Sequence, residues 1–486
     1  MQSNIYLKKS KILCTLGPAT MDKESIKKLI DQGMDCARIN FSHGSIESKL
    51  EIFDFIRQTD ERVAILCDIQ GPKIRIGQIK EGGVILHRGD EVIITTQEII
   101  GDEKRFSISY EQLPNEVKIG DKIFINDGIV SLVVKEIKGE EIFCEVINGW
   151  SIYTRKGVNL PSTPISLRVP TEKDIEDLKY IARMNPEYVA VSFVGDHDDV
   201  VTIRNTIAAY GNQEIKLIAK IERPQAVTNF DSILEHADGI MVARGDLGVE
   251  LPAEDVPPAQ KQMIKKCNRY GKVVIVATQM LESMVKAPTP TRAEVSDVYN
   301  AIEDGADAVM LSAETASGEF PFEAVSYMSR IVKRSEEMIP QRNPDEYDSE
   351  EKSISELIGH MVFSVIKELK GAERHKAKII CLTKSGFSAE MISKYRPPLP
   401  ILAVTSNLRT ARELRLVWGI RPILIPKFEG SNESLTKIKK TVEVCYENKL
   451  IHLNDKLILV GNFFNIPAQT NMVTLFNAKD VLSLNI

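Results

Sequence analysis

Lys220-Ile221-Glu222 sets an ammonium and a carboxylate two residues apart at the end of an apolar run. In an extended strand, residues two apart share a face, so Lys220 and Glu222 point one way and Ile221 the other. A buried acid beside a buried base costs stability unless each has partners. The triplet alone therefore reads equally as a structural ion pair or as part of a reactive centre. Asp246, at the end of the next apolar run, favours the second reading. Two carboxylates offer hard oxygen ligands with open positions, which suits Mg²⁺. A lysine beside such an ion suits a phosphoryl group in transfer.

Further polar residues follow other apolar runs: Arg38, Asn40, Ser42 and His43; Asp68, Lys73 and Arg75; Ser192; Arg244; Thr278; Ser312 and Glu314. Arg38 and Asn40 again share one strand face, and an arginine's planar donors suit phosphate. Asn40, Ser42 and Asp68 offer oxygens that suit a monovalent cation or an ordered water. His43 reads most simply as a neighbour of a helix cap. Val242–Gly248 is a glycine-containing turn whose backbone N–H groups can take an anion, or an ordinary strand-to-helix connection. Thr278 is either a hydrogen-bond donor or proton relay, or a satisfied buried hydroxyl. Pro288-Thr289-Pro290-Thr291-Arg292 must be stiff and non-helical; it shapes a site or only starts a helix.

These residues need a scaffold that brings strand ends together. Runs rich in Val, Ile and Leu alternate with helix-length amphipathic segments, the mark of βα units and a parallel sheet. The expected strands are 11–16, 36–39, 63–68, 188–193, 215–221, 239–243, 273–277 and 308–311. Helices are expected after each but the third, for example at 25–32, 224–235 and 323–333. Eight units are the count of a closed (β/α)8 barrel, whose reactive groups gather at the carboxyl ends of the strands. Between about 71 and 166 the pattern becomes period-two strands and tight turns, expected as an inserted all-β lid that forms a small barrel. Its expected strands are 92–96, 122–125, 129–134 and 142–147. A polar stretch, 341–351, then leads to a helix at 354–369 and a second α/β block. That block has strands at 378–382, 401–404, 422–425, 456–460 and 472–476, expected as an open, largely parallel sheet. The expected domains are 1–69 with 167–338, 70–166, and 339–486.

Composition limits the alternatives. The 486 residues are 43% hydrophobic and 27% charged, against disorder. Apolar runs are strand-length, far below the ~20 residues of a membrane-spanning helix. A net charge of −6 with no basic block disfavours a nucleic-acid partner. Seven scattered cysteines contain no CxxC pair, so neither a zinc site nor a disulfide framework is expected. The start of the chain does not read as a signal peptide, and the expected location is the cytoplasm.

At the residues that carry the chemistry, the chain resembles the pyruvate kinase family. The matching segments are CTLGPAT (14–20), ARINFSHG (37–44), DIQGPKIRIG (68–77), KGVNLP (156–161), KIE (220–222), DGIMVARGDLGVE (238–250), ATQMLESM (277–284), PTPTRAEVSDV (288–298) and MLSAETASGEFPFEA (310–324). The resemblance covers the whole chain. It implies phosphoryl transfer from phosphoenolpyruvate to ADP, with Mg²⁺ or Mn²⁺ held by Glu222 and Asp246. Lys220 is implied to stabilise the phosphoryl group, Arg38 to bind phosphate, and Gly245, Asp246 and Thr278 to hold the substrate carboxylate. Thr278 is also implied in protonating the enolate, near Ser312 and Glu314. Asn40, His43, Arg75 and the lid residue Lys156 are implied as nucleotide contacts. Asn40, Ser42, Asp68 and Ile69 correspond to a monovalent-cation site. The family is usually homotetrameric. Another Mg²⁺-dependent barrel acting on a pyruvate-type enolate would also explain Lys220, Glu222 and Asp246, but not a lid bearing Lys156 or Arg75. A non-catalytic paralogue would have lost catalytic positions, and none is lost.

Three segments depart from the family pattern. Ile69-Gln70-Gly71-Pro72-Lys73 stands where many members have Thr-Lys-Gly-Pro-Glu. Lysine at the position of Lys73 goes with K⁺ independence, its ammonium replacing the monovalent charge. Ser166-Leu167-Arg168 replaces a usual Asp-Leu-Pro at the lid hinge. The stretch 461–471 is poorer in glycine than is common. Upstream of it, Thr383, Lys384, Ser385, Gly386 and Ser388 follow a strand and open a helix, where hydroxyls and N–H groups can cradle a phosphate. They resemble the family's loop for a phosphorylated allosteric effector; a plain strand-to-helix turn is the alternative.

Overall fold

The computed structural model describes residues 8–340, 343–348, 352–426, 434–462 and 470–484. Parts of the expected linker (341, 342 and 349–351) and most of the glycine-poor stretch (463–469) lie outside the described residues. Among the described residues no helix is long and apolar enough to cross a membrane.

Eight parallel strands close into a barrel: β1 (Lys11–Leu16), β2 (Cys36–Asn40), β3 (Ala64–Asp68), β4 (Tyr188–Val191), β5 (Lys216–Ile221), β6 (Gly239–Ala243), β7 (Val273–Ala277) and β8 (Ala308–Leu311). Each strand pairs with its neighbours in sequence, and β1 with β8. Alternate residues divide between two cores. Cys14, Ile39, Ile65, Ile221 and Val276 pack outward under the helices. Leu13, Leu66, Ile218, Met241, Ile275 and Met310 fill the barrel and join the apolar surface of the C-terminal domain. Register places Thr15 beside Arg38 and Asn40 beside Asp68.

Expected and observed elements differ mainly at their ends. The fourth strand stops at Val191 because Phe193 takes a left-handed conformation, φ 57°, which ends the ladder. The segment after β5 forms two short helices, Pro224–Thr228 and Phe230–His236, rather than one. Thr291 accepts from the Glu294 N–H and completes a capping box, so the proline-rich run does start the helix Arg292–Asp304.

The inserted lid, expected as a small all-β barrel, is built mainly of strands. It contains a six-stranded sheet and a separate two-stranded one. The two edges of the larger sheet approach the irregular segment 75–79, which makes single bridges Arg75–Gly157 on one side and Ile76–Ile108 and Ile79–Gly101 on the other. Four short strands, Val84–Ile85, Arg105–Ser107, Ser151–Ile152 and Val158–Asn159, escape a period-two reading because two or three residues show no alternation. The altered hinge is well anchored: the Ser166 hydroxyl bonds the Glu116 carboxylate, and Arg168 pairs with Asp196 at 3.0 Å.

The C-terminal block is an open five-stranded sheet. Four strands are parallel, and Met472–Asn477 runs antiparallel at one edge.

Candidate active site

Three strand ends, those of β3, β4 and β5, meet around one ammonium. Lys220 Nζ lies 2.6 Å from Ser192 Oγ, 2.9 Å from Glu222 Oε1 and 3.3 Å from Asp68 Oδ1. Burial opposes its charge, but Asp68 and Glu222 outweigh it and hold the ammonium above the ordinary lysine range. Asp68 is buried and also accepts from Arg38 Nε at 2.7 Å. Burial pushes its carboxyl up, yet Lys220 and Arg38 together hold it below the usual carboxylate range. Arg38 is fixed at its other edge by Thr15 Oγ1, 2.9 Å from its terminal nitrogen. Glu222 is buried, and its second oxygen accepts the Phe193 N–H at 2.7 Å. Burial pushes Glu222 up against the pull of Lys220, and Asp246 adds repulsion in the same direction. The two carboxylates thus face each other's field, the arrangement that a divalent cation relieves.

Asp246 sits in the first turn of the short helix Arg244–Glu250 that follows β6 directly, at the edge of a cleft of about 640 Å³ that Lys73, Arg244, Gly245 and Gln279 also line. The Gly245 N–H donates to Thr278 Oγ1 at 2.7 Å, and the Thr278 hydroxyl donates to the Ala277 carbonyl. A Cβ on residue 245 would come within 3.3 Å of Thr278 Oγ1, so glycine permits this approach. Thr278 itself is left-handed, φ 69°. Arg244 braces the turn through Asp297 and the Thr278 carbonyl, both at 2.7 Å. At the eighth strand end, Glu314 is buried and accepts the N–H groups of Ser312 and Leu281. Burial pushes its carboxyl up. Ser312 Oγ is buried with no hydrogen-bond partner among the described residues.

The remaining expected residues surround this mouth less tightly. Asn40 Oδ1 accepts the Ser42 N–H at 3.0 Å, and the Ile69 carbonyl accepts from Ser192 Oγ at 2.7 Å. His43 is exposed, two residues before Ser45, which caps the helix Ile46–Thr59. Arg75 donates to the Arg155 carbonyl, and the Lys156 carbonyl accepts from the Ile76 N–H. Lys73 Nζ lies 3.8 Å from Asp246 Oδ1; its ion partner is the strand-six carboxylate, and Asp68 is instead occupied by Arg38 and Lys220. In the C-terminal domain, Gly386 donates to Thr383 Oγ1, Ser388 bonds Thr470, and the Lys384 carbonyl accepts from Thr410. Lys384 and Ser385 sit in the same turn before the helix Phe387–Lys394.

Family models agree with this construction. The pyruvate kinase barrel-domain model matches residues 7–325, and the pyruvate kinase alpha/beta-domain model matches 367–476. The chain belongs to the pyruvate kinase family. A pyruvate kinase of Clostridium perfringens is 40% identical, over 96% of this chain and 99% of its own. One from Staphylococcus aureus (strain MRSA252) is 42% identical, over 98% and 82% respectively. The crystal structure of a pyruvate kinase from Cryptosporidium parvum matches with a TM-score of 0.90 at 38% identity, covering 97% of this chain and 96% of that one.

Several parts of this mouth escape sequence reading. Thr15 lies one residue inside β1 and reads as a strand former, although its shared face with Leu13 is a usable signal. The Phe193 N–H has no side-chain signature. Asn159 of the lid donates to Glu250 at 2.8 Å, beside the buried Arg223. Burial pushes Glu250 up, with Asn159 and Arg223 opposing. Asn159→Ala would strip the carboxylate of its donor, at a cost of about 1–3 kcal/mol. The expected result is faster amide exchange across 158–161 with exchange in the barrel unchanged; unchanged exchange in the lid would refute the contact.

Proposed function

We propose that the protein transfers the phosphoryl group of phosphoenolpyruvate to ADP, giving pyruvate and ATP as the last step of glycolysis. Family membership makes the chain a phosphotransferase. The observation that carries the reading is Lys220 Nζ, held among Ser192, Asp68 and Glu222 with Arg38 on the far side of Asp68. Two fixed cations beside two carboxylates suit an in-line phosphoryl transfer, which asks for positioning and charge stabilisation rather than covalent catalysis.

Arg38 and Lys220 bind the phosphate and neutralise charge as it leaves the enolate oxygen. The substrate carboxylate takes the Gly245 N–H from Thr278 Oγ1, with the Asp246 N–H beside it. The Thr278 hydroxyl turns from the Ala277 carbonyl to deliver its proton to the enolate methylene carbon, and water returns a proton to its oxygen. Buried Glu314 and the unpartnered Ser312 hydroxyl lie at the adjoining strand end. Asn40, His43, Arg75 and Lys156 meet the nucleotide as the lid, 70–166, closes over the barrel, 1–69 and 167–338, and excludes water. Glu222 and Asp246 would hold Mg²⁺, or Mn²⁺, which supplies charge neutralisation at the transferring group.

K⁺ is proposed to be unnecessary, because Lys73 already places an ammonium 3.8 Å from Asp246. Of the oxygens of Asn40, Ser42, Asp68 and Ile69, the Asp68 carboxylate is met by Arg38 and Lys220. Pyruvate formation with Mg²⁺ in a K⁺-free buffer tests both statements. The expected result is full activity, with Lys73→Glu losing about tenfold or more until K⁺ is added. Activity only after K⁺ addition in the unaltered protein would end the lysine argument and leave the reaction standing. No activity in either buffer would end both.

The C-terminal domain, 339–486, is proposed as regulatory, with the Thr383–Ser388 turn taking a phosphorylated effector, in a cytoplasmic homotetramer. The turn's N–H groups and hydroxyls support the effector reading. A screen of sugar and nucleoside monophosphates without any shift in substrate affinity would remove it, and a light-scattering mass other than four chains would remove the tetramer.

A further inference from the structure

Where the lid joins the barrel, a pocket of about 280 Å³ lies between the two. The lid contributes Ile74, Val158, Leu160 and Pro161, and the barrel contributes Phe193 and Arg223. Apolar side chains form most of its wall, with one guanidinium among them. The volume stands near the lower end of small-molecule sites, about 300–1,000 Å³. A cavity of about 150 Å³ already takes benzene, so a ring with one small substituent is within its size.

Arg223 is the group that lacks a partner. It is 6% exposed, and its Nη2 is buried with no hydrogen-bond partner among the described residues. Its guanidinium lies 5.9 Å from the centre of the Phe193 ring. Other polar groups of the lining are engaged elsewhere. Asn159 donates to Glu250 at 2.8 Å, Thr163 to Asp121 at 2.9 Å and Thr228 to the Pro224 carbonyl at 3.2 Å. Lys73 faces Asp246 at 3.8 Å. A buried donor without an acceptor is costly, and an acceptor brought by a ligand recovers that cost.

Charge decides which acceptor. Burial pulls Arg223 below the ordinary arginine range, and Glu250, Asp199 and Glu222 oppose that pull. One cation facing three carboxylates leaves no positive excess for an anion. An anionic ligand would add a fourth negative charge to a partly dry site, where like charges repel strongly. A carbonyl oxygen supplies the acceptor without the charge.

We propose that this pocket binds a small uncharged molecule, an apolar body bearing an amide or ketone carbonyl, whose oxygen accepts from Arg223 while the body packs on the apolar wall that lid and barrel share. Such a ligand touches both sides of the lid–barrel boundary. The proposal does not rest on the catalytic reading, since none of Lys220, Glu222 and Asp246 lines the pocket.

Benzamide is the probe, titrated into the full-length protein by isothermal calorimetry. Saturable binding is expected. Benzoate has the same size and a negative charge, and its Kd should be at least about tenfold higher. Arg223→Met keeps an unbranched side chain and removes the donors, so the benzamide Kd should rise about tenfold or more. Ser162→Trp adds bulk at an exposed position of the lining and should raise it as far; it carries the test should Arg223→Met fail to fold. Amide hydrogen exchange locates the ligand: benzamide should slow exchange at 158–165 and 223–228 and leave the C-terminal sheet unchanged. No saturable binding, benzoate binding as tightly as benzamide, a Kd unaltered in the variants, or slowing confined to other segments overturns the proposal.

Discussion

Lys220→Ala is expected to lower turnover by about 10²–10³-fold or more, the scale of losing a fixed group that stabilises transition-state charge. The change in substrate KM should be far smaller, because Arg38 and the Gly245–Thr278 turn still bind the ground state. Steady-state kinetics in both parameters checks this, and an unchanged kcat would refute the role. The same substitution has a stability readout. Asp68 owes its depressed carboxyl to Lys220 and Arg38 acting against burial. A depressed acid contributes stability that is present above its unfolded pKa and is lost as pH falls through the folded one. Removing Lys220 raises the folded pKa, so the acid limb of the Tm-against-pH curve should move to higher pH. Glu222 meanwhile loses its partner at 2.9 Å, and breaking a buried pair costs about 3–5 kcal/mol. A lower Tm at neutral pH is therefore expected alongside the kinetic loss. Lys220→Arg, which restores charge but not the 2.6 Å contact to Ser192, should recover Tm more than turnover.

Glu222→Gln should raise the midpoint for divalent-cation activation at least tenfold. Turnover at saturating metal should fall about 10²-fold or more, since a metal-borne stabilisation is worth several kcal/mol. The amide keeps the volume and can still accept the Phe193 N–H, so the fold should survive. Binding of Mn²⁺ followed by electron paramagnetic resonance gives a readout separate from activity. Unchanged Mn²⁺ affinity would place the metal away from Glu222. The contrast between the two variants is informative. Lys220→Ala should leave Mn²⁺ binding largely intact, because it removes an ammonium that competes for Glu222, whereas Glu222→Gln removes the ligand itself.

The barrel strands were legible because strands buried on both faces read as continuous apolar runs, and four of the eight, Lys11–Leu16, Gly239–Ala243, Val273–Ala277 and Ala308–Leu311, match their expected limits residue for residue. The lid was harder. Its edges meet the segment 75–79 through single bridges, and a bridge leaves no periodic trace in sequence. Lys73 shows a second limit. Its type suggested a replacement for monovalent charge near Asp68, yet Arg38 and Lys220 occupy that carboxylate, and Lys73 turns to Asp246. A residue type states which charge is present; competition among neighbours decides where it goes.

The identities of the candidate groups were legible in the chain, because acids, a lysine and an arginine stand at the ends of apolar runs. Their mutual geometry was not. Lys220 and Asp68 are 152 residues apart, with the whole lid between them, and meet only because the barrel closes. The anchoring of Arg38 by Thr15 and of Glu222 by a backbone N–H also follows from strand register and from a left-handed turn at Phe193. Hydrogen-bond distance is a property of packed elements, and no spacing along the chain encodes it.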